Sequence, residues 1–138
     1  SAAVDQPEKT NLNGCNILVA EDNALNRTIL CSLLASEGMT YVEVADGEAA
    51  VKAYLDAPEK TFHCVLMDMR MPKLDGIRAT AQIRESGKSD ACAIPIIGVS
   101  ANGFADDIRK AKQAGLSEYT TKPIDKNRLM AVMRALIQ

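Results

Sequence analysis

The sequence predicts a doubly wound α/β domain, in which a five-stranded parallel sheet is covered on both faces by five helices. Two observations lead to this prediction. Short apolar runs alternate five times with longer segments that have helical periodicity. Three of these runs contain an uninterrupted apolar stretch (ILVA, CVLM and IPIIGV), which is typical of parallel strands buried on both faces. The helices between them supply the crossover connections that parallel strands need.

The first half of the sequence contains two strand–helix pairs. Strands are predicted at residues 15–20 (CNILVA) and 41–45 (YVEVA), where β-branched residues are frequent. Helices are predicted at residues 23–38 and 46–58, and they end at Gly38 and at Pro58. In the first helix, apolar residues lie at helical spacing in two rows: Leu25, Ile29 and Leu33, and Leu30 and Leu34.

The second half continues the alternation with three more strands and three more helices. Strands are predicted at residues 63–68 (HCVLMD), 94–101 (IPIIGVSA) and 118–122 (EYTTK). Helices are predicted at residues 75–86, 106–115 and 125–138. The last helix is amphipathic, with Leu129, Val132, Met133 and Leu136 on its apolar side.

Length and composition are those of one globular domain. The chain has 138 residues, of which 47% are hydrophobic and 25% are charged. The net charge of -2 gives no reason to expect nucleic acid or an anionic membrane as a partner. No apolar run approaches the ~20 residues of a membrane span. Residues 1–13 are interpreted as a polar linker rather than a secretory signal, and residues 14–138 as the domain.

The four cysteines indicate a reducing compartment. They are widely spaced and form no C-x-x-C pair, so neither structural zinc nor a disulfide framework is expected. We interpret all four as reduced and mostly buried thiols, and the protein as cytoplasmic. The positions are Cys15, Cys31, Cys64 and Cys92.

Polar side chains follow four of the five predicted strands. They are Glu21 and Asp22 after the first, Asp68 after the third, Ser100 after the fourth and Lys122 after the fifth. Doubly wound sheets place their functional sites at the carboxyl ends of the strands. We therefore expect three acids, a hydroxyl and an ammonium group to share one cleft.

A cleft of this composition favours phosphoryl chemistry. Clustered carboxylates do not stay ionised without compensation, and Mg²⁺ is a hard cation that binds oxygen ligands. A divalent ion, an ammonium group and a hydroxyl are suited to holding a phosphoryl group. Asp68, at the centre, is the candidate nucleophile that would form an aspartyl-phosphate. Taken singly, Asp22 or Asn23 could be a helix cap, and Ser100 and Lys122 ordinary surface groups.

The chain resembles the receiver domain of two-component response regulators from Gly14 to Gln138. The matching segments are ILVAEDN, VLMDMRMPKLDG, PIIGVSA and EYTTKP, in the order and spacing of that family. The resemblance implies a flavodoxin-like sheet with strand order 2-1-3-4-5. It also implies that Asp68 accepts a phosphoryl group from a phosphohistidine, with self-phosphorylation and self-dephosphorylation chemistry in the domain itself.

The resemblance also assigns roles to the other residues of the cleft. Asp22, Asp68 and the backbone carbonyl of Arg70 would bind Mg²⁺, and Glu21 would assist through a coordinated water. Ser100 and Lys122 would bind phosphoryl oxygens, and the Lys122–Pro123 peptide bond would be cis. These roles are those of the family and do not follow from spacing.

A conformational switch is implied as well. Phosphorylation would draw Ser100 and Lys122 inward, and the aromatic ring of Tyr119 would turn into the vacated space. The face formed by the fourth helix, the fifth strand and the fifth helix would then change its preference between partners.

The segment AEDNALNR, with Glu-Asp-Asn instead of an Asp-Asp pair, is similar to receivers of hybrid sensor histidine kinases. The expected partners are therefore a histidine kinase or a histidine phosphotransfer domain. A stand-alone response regulator is the alternative within the family. The alternative from a different class of protein is a Mg²⁺-dependent aspartyl-phosphate phosphatase of the haloacid dehalogenase type. Such enzymes have an acid at the position where this chain has Arg70. A degenerate receiver that only binds partners would lack an acid or the lysine.

Overall fold

The computed structural model describes residues 11–101 and 105–137, with the backbone alone for residues 105–107. Strands and helices alternate along the chain, as the sequence predicts. The strands are Asn16–Ala20 (β1), Thr40–Val44 (β2), Cys64–Asp68 (β3), Ile96–Ser100 (β4) and Glu118–Thr121 (β5). The helices are Ala24–Ser36 (α1), Gly47–Asp56 (α2), Gly76–Arg84 (α3), Ala105–Ala114 (α4) and Lys126–Leu136 (α5).

The five strands form one parallel sheet in the order β2-β1-β3-β4-β5, which confirms the predicted topology. β3 is the central strand, and all five of its residues are buried. In its register with β4, Asp68 lies opposite Val99. The strand order changes direction between β1 and β3, so the carboxyl ends of these two strands flank the crevice where such sheets place their sites.

Each face of the sheet packs on its own hydrophobic cluster. Because side chains alternate along a strand, Leu18 and Val65 point to one face, whereas Ile17 and Leu66 point to the other. The first face packs against α2, α3 and α4 through residues such as Tyr54. The second face packs against α1 and α5. The predicted arrangement, a sheet with helices on both faces, is confirmed.

α1 presents its two apolar rows to different surroundings. Leu30, Cys31 and Leu34 are buried against the sheet. Leu25 and Ile29 are 69% and 43% exposed, so this row faces outward. The helix therefore carries an apolar surface that the described part of the chain does not cover.

The N-terminal boundary of the packed domain includes Leu12. Residues 1–10 of the predicted linker lie outside the described residues. Leu12 is 3% exposed and belongs to the cluster under α1 and α5. Packing therefore begins at least two residues before Gly14.

All four cysteines are free thiols; Cys92 is exposed and the other three are buried. None of the helices in the described ranges is both long enough and apolar enough to traverse a bilayer.

Gly76 allows α3 to begin directly against the end of β3. Its amide N–H donates to the carbonyl of Met69 at 3.1 Å. A Cβ atom at Gly76 would lie 2.2 Å from the carbonyl oxygen of Asp68 and 2.8 Å from the Cα atom of Met69. These neighbours are backbone atoms of the segment that carries Asp68, so they cannot move away independently of the site.

We expect Gly76→Ala to lower the free energy of unfolding by about 2 to 3 kcal/mol, because the methyl group displaces backbone. Gly98→Ala is the matched control: its Cβ would lie 2.9 Å from Leu116 Cδ2 and 3.1 Å from Met69 Cε, which are ends of flexible side chains. Urea unfolding of both variants measures the difference. Equal losses in the two variants would contradict the assignment of a rigid contact at Gly76.

Candidate functional site

Three carboxylates meet at the carboxyl ends of β1 and β3. Glu21 and Asp22 directly follow β1, and Asp68 is the last residue of β3. One oxygen from each of the three lies within 4.8 Å of the others. Glu21 is fully buried and Asp68 is 4% exposed, whereas Asp22 is exposed. The sheet thus brings together the three acids that the sequence predicts to share a cleft.

Lys122 joins the cluster from the end of β5. Its Nζ atom lies 3.1 Å from Glu21 Oε1 and 3.4 Å from Asp68 Oδ2. The amide N–H of Lys122 donates to the carbonyl of Ser100 at 2.8 Å, which ties this segment to the end of β4. The Lys122–Pro123 peptide bond is cis, as the resemblance implies.

The Asp68 carboxyl has a raised pKa. The pKa is raised to about 7; burial is the largest cause, and the nearby charge of Glu21 acts in the same direction. Two contacts act in the opposite direction: the amide N–H of Arg70, which donates to Asp68 Oδ1 at 3.2 Å, and the ammonium of Lys122. The metal-free site therefore takes up a proton near neutral pH.

The Lys122 ammonium remains protonated in this setting. Burial disfavours the charged form and is the largest single influence on its pKa. The negative charges of Asp68 and Glu21 together outweigh burial, so the pKa of Lys122 is raised. The ammonium is a permanent positive charge beside Asp68.

One carboxylate oxygen of Glu21 retains unused hydrogen-bond acceptor capacity. Its Oε2 accepts a hydrogen bond from the amide N–H of Asn23 at 3.1 Å. Its Oε1 is buried and, among the described residues, makes no hydrogen bond, although it forms the ion pair with Lys122. A buried carboxylate oxygen with unused acceptor capacity, beside two more acids, fits a divalent cation or its coordinated water. The donor set is all oxygen, which is the set that Mg²⁺ prefers.

Ser100 and Tyr119 lie on the neighbouring strands β4 and β5. Ser100 ends β4 beside Val99, the register partner of Asp68. Ser100 and Tyr119 line one cavity of about 10 Å³, together with Met69 and Leu116. That volume is near the lower limit for a single water molecule. Both side chains are half-buried.

A second cavity lies beside Lys122, between α1 and the segment that follows β5. Its volume is about 160 Å³. Its walls combine charged and apolar groups: Glu21, Asn26, Ile29, Leu30, Lys122, Pro123 and Ile124. It connects the acidic cluster to the exposed apolar row of α1, a surface that sequence reasoning did not identify. The sequence did contain a sign of this surface: α1 has two apolar rows, whereas one row is enough to pack a helix against the sheet.

The three acids and the ammonium group of Lys122 form a site whose chemistry suits a divalent cation and a phosphoryl group. Sequence reasoning also missed Arg27, whose side chain contacts the Glu21 backbone. Nothing in the spacing of a helical arginine indicates such a contact.

Comparisons with known proteins point to one family. The family model described as the response regulator receiver domain matches residues 17–134. Hybrid signal transduction histidine kinase I of Dictyostelium discoideum is 37% identical over 123 residues, which are 88% of this chain and 7% of that protein. The chain thus spans a small part of the length of that relative.

Two solved structures are similar throughout. The receiver domain of a sensor histidine kinase of Pseudomonas aeruginosa, solved with a magnesium ion in its active site cleft, has a TM-score of 0.80 and 34% identity. The match covers 89% of this chain and 97% of the Pseudomonas aeruginosa domain. The receiver domain of Saccharomyces cerevisiae Ssk1, solved with the histidine phosphotransfer protein Ypd1, has a TM-score of 0.81 and 28% identity. The coverage is 92% of this chain and 91% of that one.

We expect Asp68→Asn to stabilise the metal-free protein above neutral pH. The folded-state pKa of Asp68 is raised from 3.8 to about 7, so the folded state resists ionisation. The carboxyl of Asp68 therefore lowers stability progressively as the pH rises from 3.8 to about 7, and it has no such effect near pH 4. We expect the variant to gain about 1 to 3 kcal/mol in the free energy of unfolding at pH 8.

The measurement is urea unfolding in the presence of a chelator from pH 4 to pH 8. The gain over wild type should grow through this range and level off above pH 7. Asp56→Asn, which removes an acid with a side chain 63% exposed, is the control and should show no comparable rise. A gain that is constant with pH would contradict the raised pKa.

Proposed function

Because this chain belongs to the response regulator receiver domain family, we propose that it takes a phosphoryl group from a phosphohistidine onto Asp68 in a Mg²⁺-dependent reaction. The observation that carries the proposal is the position of the Asp68 carboxylate. It lies within the three-acid cluster, and its Oδ2 is 3.4 Å from the ammonium of Lys122. A phosphatase of the haloacid dehalogenase type is disfavoured, since Arg70 stands where that family has its second acid.

In the proposed reaction, an ionised oxygen of Asp68 attacks the phosphorus atom. A phosphorus–oxygen bond forms, the phosphorus–nitrogen bond of the donor breaks, and the imidazole nitrogen keeps the bonding electron pair. The hydrogen bond from the Arg70 amide orients the carboxylate. The ammonium of Lys122 lies where negative charge on the phosphoryl oxygens would develop.

The acids hold the cation in this proposal. Asp22, Asp68 and the backbone carbonyl of Arg70 would bind Mg²⁺, and Glu21 would assist through a coordinated water. When bound, the ion neutralises charge on the phosphoryl oxygens. Support comes from the unused acceptor capacity of Glu21 Oε1 and from the all-oxygen donor set.

We assign the conformational response to Ser100, Lys122 and Tyr119. The phosphoryl group would accept hydrogen bonds from Ser100 Oγ and Lys122 Nζ. Movement of Ser100 would enlarge the cavity that it shares with Tyr119, and the ring would occupy that space. The shared cavity supports this assignment, because the side chains of Ser100 and Tyr119 both line it.

The proposed donor is a histidine phosphotransfer domain or a histidine kinase. The exposed row of Leu25 and Ile29 borders the cavity that opens onto Lys122. A partner that buries this apolar row would therefore be placed beside the acidic cluster. The solved complex of the Ssk1 receiver with Ypd1 gives an example of such a pairing in a similar domain.

We further propose that the parent protein is a hybrid sensor histidine kinase and that this domain is cytoplasmic. The matching relatives include a hybrid signal transduction histidine kinase, and the segment AEDNALNR is similar to receivers of such kinases. A stand-alone regulator is the alternative. Phosphotransfer to this domain from kinase domains of the same parent chain would distinguish the two.

Incubation with acetyl phosphate and Mg²⁺ should label the wild-type chain once, at Asp68. Asp68→Asn should remain unlabelled, because the amide nitrogen is not a nucleophile at phosphorus. Intact mass spectrometry measures the added phosphoryl group. Asp75→Asn, at the helix cap of α3, is the control that should still be labelled.

Omission of Mg²⁺ or addition of a chelator should abolish labelling of the wild type. Equal labelling of wild type and Asp68→Asn would refute the assignment of the acceptor. No labelling of the wild type by acetyl phosphate or by a phosphorylated histidine protein would refute the function itself.

We expect Ile29→Gln to slow phosphoryl transfer from phosphorylated Ypd1 at least about tenfold, because it places a polar group in the centre of the apolar docking row. Leu55→Gln is a matched control on α2, since Leu55 is 45% exposed and Ile29 is 43% exposed. Rapid-quench kinetics measure the transfer. The loss in Ile29→Gln should exceed any loss of labelling by acetyl phosphate, and equal rates in both variants would argue against this docking surface.

A further inference from the structure

Arg27 connects the acidic cluster to the edge strand of the sheet. Its Nη1 donates to the backbone carbonyl of Glu21 at 2.7 Å, and its Nε donates to Glu43 Oε1 on β2 at 3.1 Å. The Arg27 side chain is only 22% exposed, so solvent competes weakly for these donors. The short distance to a carbonyl is that of a charge-assisted hydrogen bond.

The contact with Glu21 fixes a peptide plane. The Glu21 carbonyl lies in the same planar unit as the amide of Asp22, so its direction sets the orientation from which the Asp22 side chain departs. The amide N–H of Glu21 donates to the carbonyl of Val44 at 3.1 Å. Glu21 is thus held from β2 through its N–H and from α1 through its carbonyl.

Glu43 orients the guanidinium. A planar guanidinium presents its Nε and Nη1 donors in a fixed relation, so the contact with Glu43 determines where Nη1 points. An ammonium group has no such fork and would satisfy one acceptor at the expense of the other. The arrangement therefore requires arginine at position 27 rather than any cation.

We propose that Arg27 is a positioning residue for the cation site, acting through the Glu21–Asp22 peptide. The inference rests on the proposed Mg²⁺-dependent function and adds a residue to its site. Within the described part of the chain, the Arg27 side chain bonds to the Glu21 carbonyl and to Glu43, and not to the carboxylate of Asp22 or Asp68. Arg27 therefore affects cation binding through the orientation of Glu21 and Asp22.

An electrostatic role and a positioning role of Arg27 predict opposite changes in Mg²⁺ affinity when the residue is replaced. Its positive charge lies near the acids and disfavours a cation, so loss of charge alone would strengthen Mg²⁺ binding. Loss of the contact with the Glu21 carbonyl would release the peptide and weaken binding. The sign of the change in affinity therefore separates a positioning role from an electrostatic one.

The experiment is calorimetric titration of the full 138-residue chain with MgCl₂. We expect Arg27→Met to weaken Mg²⁺ binding about tenfold, the magnitude typical of residues that orient metal ligands. Arg27→Met combined with Glu43→Gln should be as weak as Arg27→Met alone, because Glu43 acts through Arg27. If only charge mattered, the double variant would bind like wild type.

The control is Lys52→Met, which removes a cation from an exposed ion pair on α2 and should leave the affinity unchanged. If Arg27→Met does not fold, Arg27→Lys keeps the charge and should still weaken binding about threefold, because an ammonium cannot bridge both acceptors. As a second readout, the amide resonances of Asp22 and Asn23 should shift in the metal-free Arg27 variant.

Unchanged or tighter Mg²⁺ binding in the folded Arg27 variant would overturn the positioning role while leaving the proposed function intact. Absence of Mg²⁺ binding by the wild type would overturn the proposed function, and this inference with it. Weaker binding in the Arg27 variants, together with wild-type affinity in Lys52→Met, would support both.

Discussion

The ammonium group of Lys122 forms ion pairs with two buried carboxylates, those of Glu21 and Asp68, and the functional site depends on this interaction. Glu21 and Asp68 lie almost fully inside the protein, where like charges repel with little solvent screening. Lys122 can reach both only because the sheet places the ends of β1, β3 and β5 at one edge. One ammonium group faces three acids here, Glu21, Asp22 and Asp68, so the acidic groups outnumber the basic one. This excess of carboxylates is the feature that suits the site to a cation.

The fold and the membership of the acidic cluster could be predicted from the sequence because both follow from simple rules. Parallel strands need crossovers, and their carboxyl ends meet at one edge. Asp68 therefore had to lie near Glu21 and Asp22 once the strands had been identified. The place of Ser100 in the cleft also followed from the strand ends. The part of Ser100 and Tyr119 in a switch was expected only from the family resemblance, because a hydroxyl and an aromatic ring on neighbouring strands have no specific meaning by themselves.

Other features depend on contacts that no local pattern encodes. The apolar row of Leu25 and Ile29 has the same helical spacing as the buried row, and only the packing of α1 distinguishes them. The contact from Arg27 to the Glu21 carbonyl joins residues six positions apart across a helix start. Leu12 lies in a polar stretch, and only its neighbours on α1 and α5 show that it is buried.

The small cavity between Ser100 and Tyr119 has a consequence for how a signal could be graded. A space that holds at most one water molecule gives an aromatic ring no stable halfway position. In the proposed switch, the ring of Tyr119 would be either outside the cavity, or inside it after neighbouring groups had moved. Each molecule would then be in one of two discrete states, and a graded response would reflect only the fraction of molecules in each state. Sensitivity to the input would be set by the free-energy difference between the two states rather than by partial displacement of the ring.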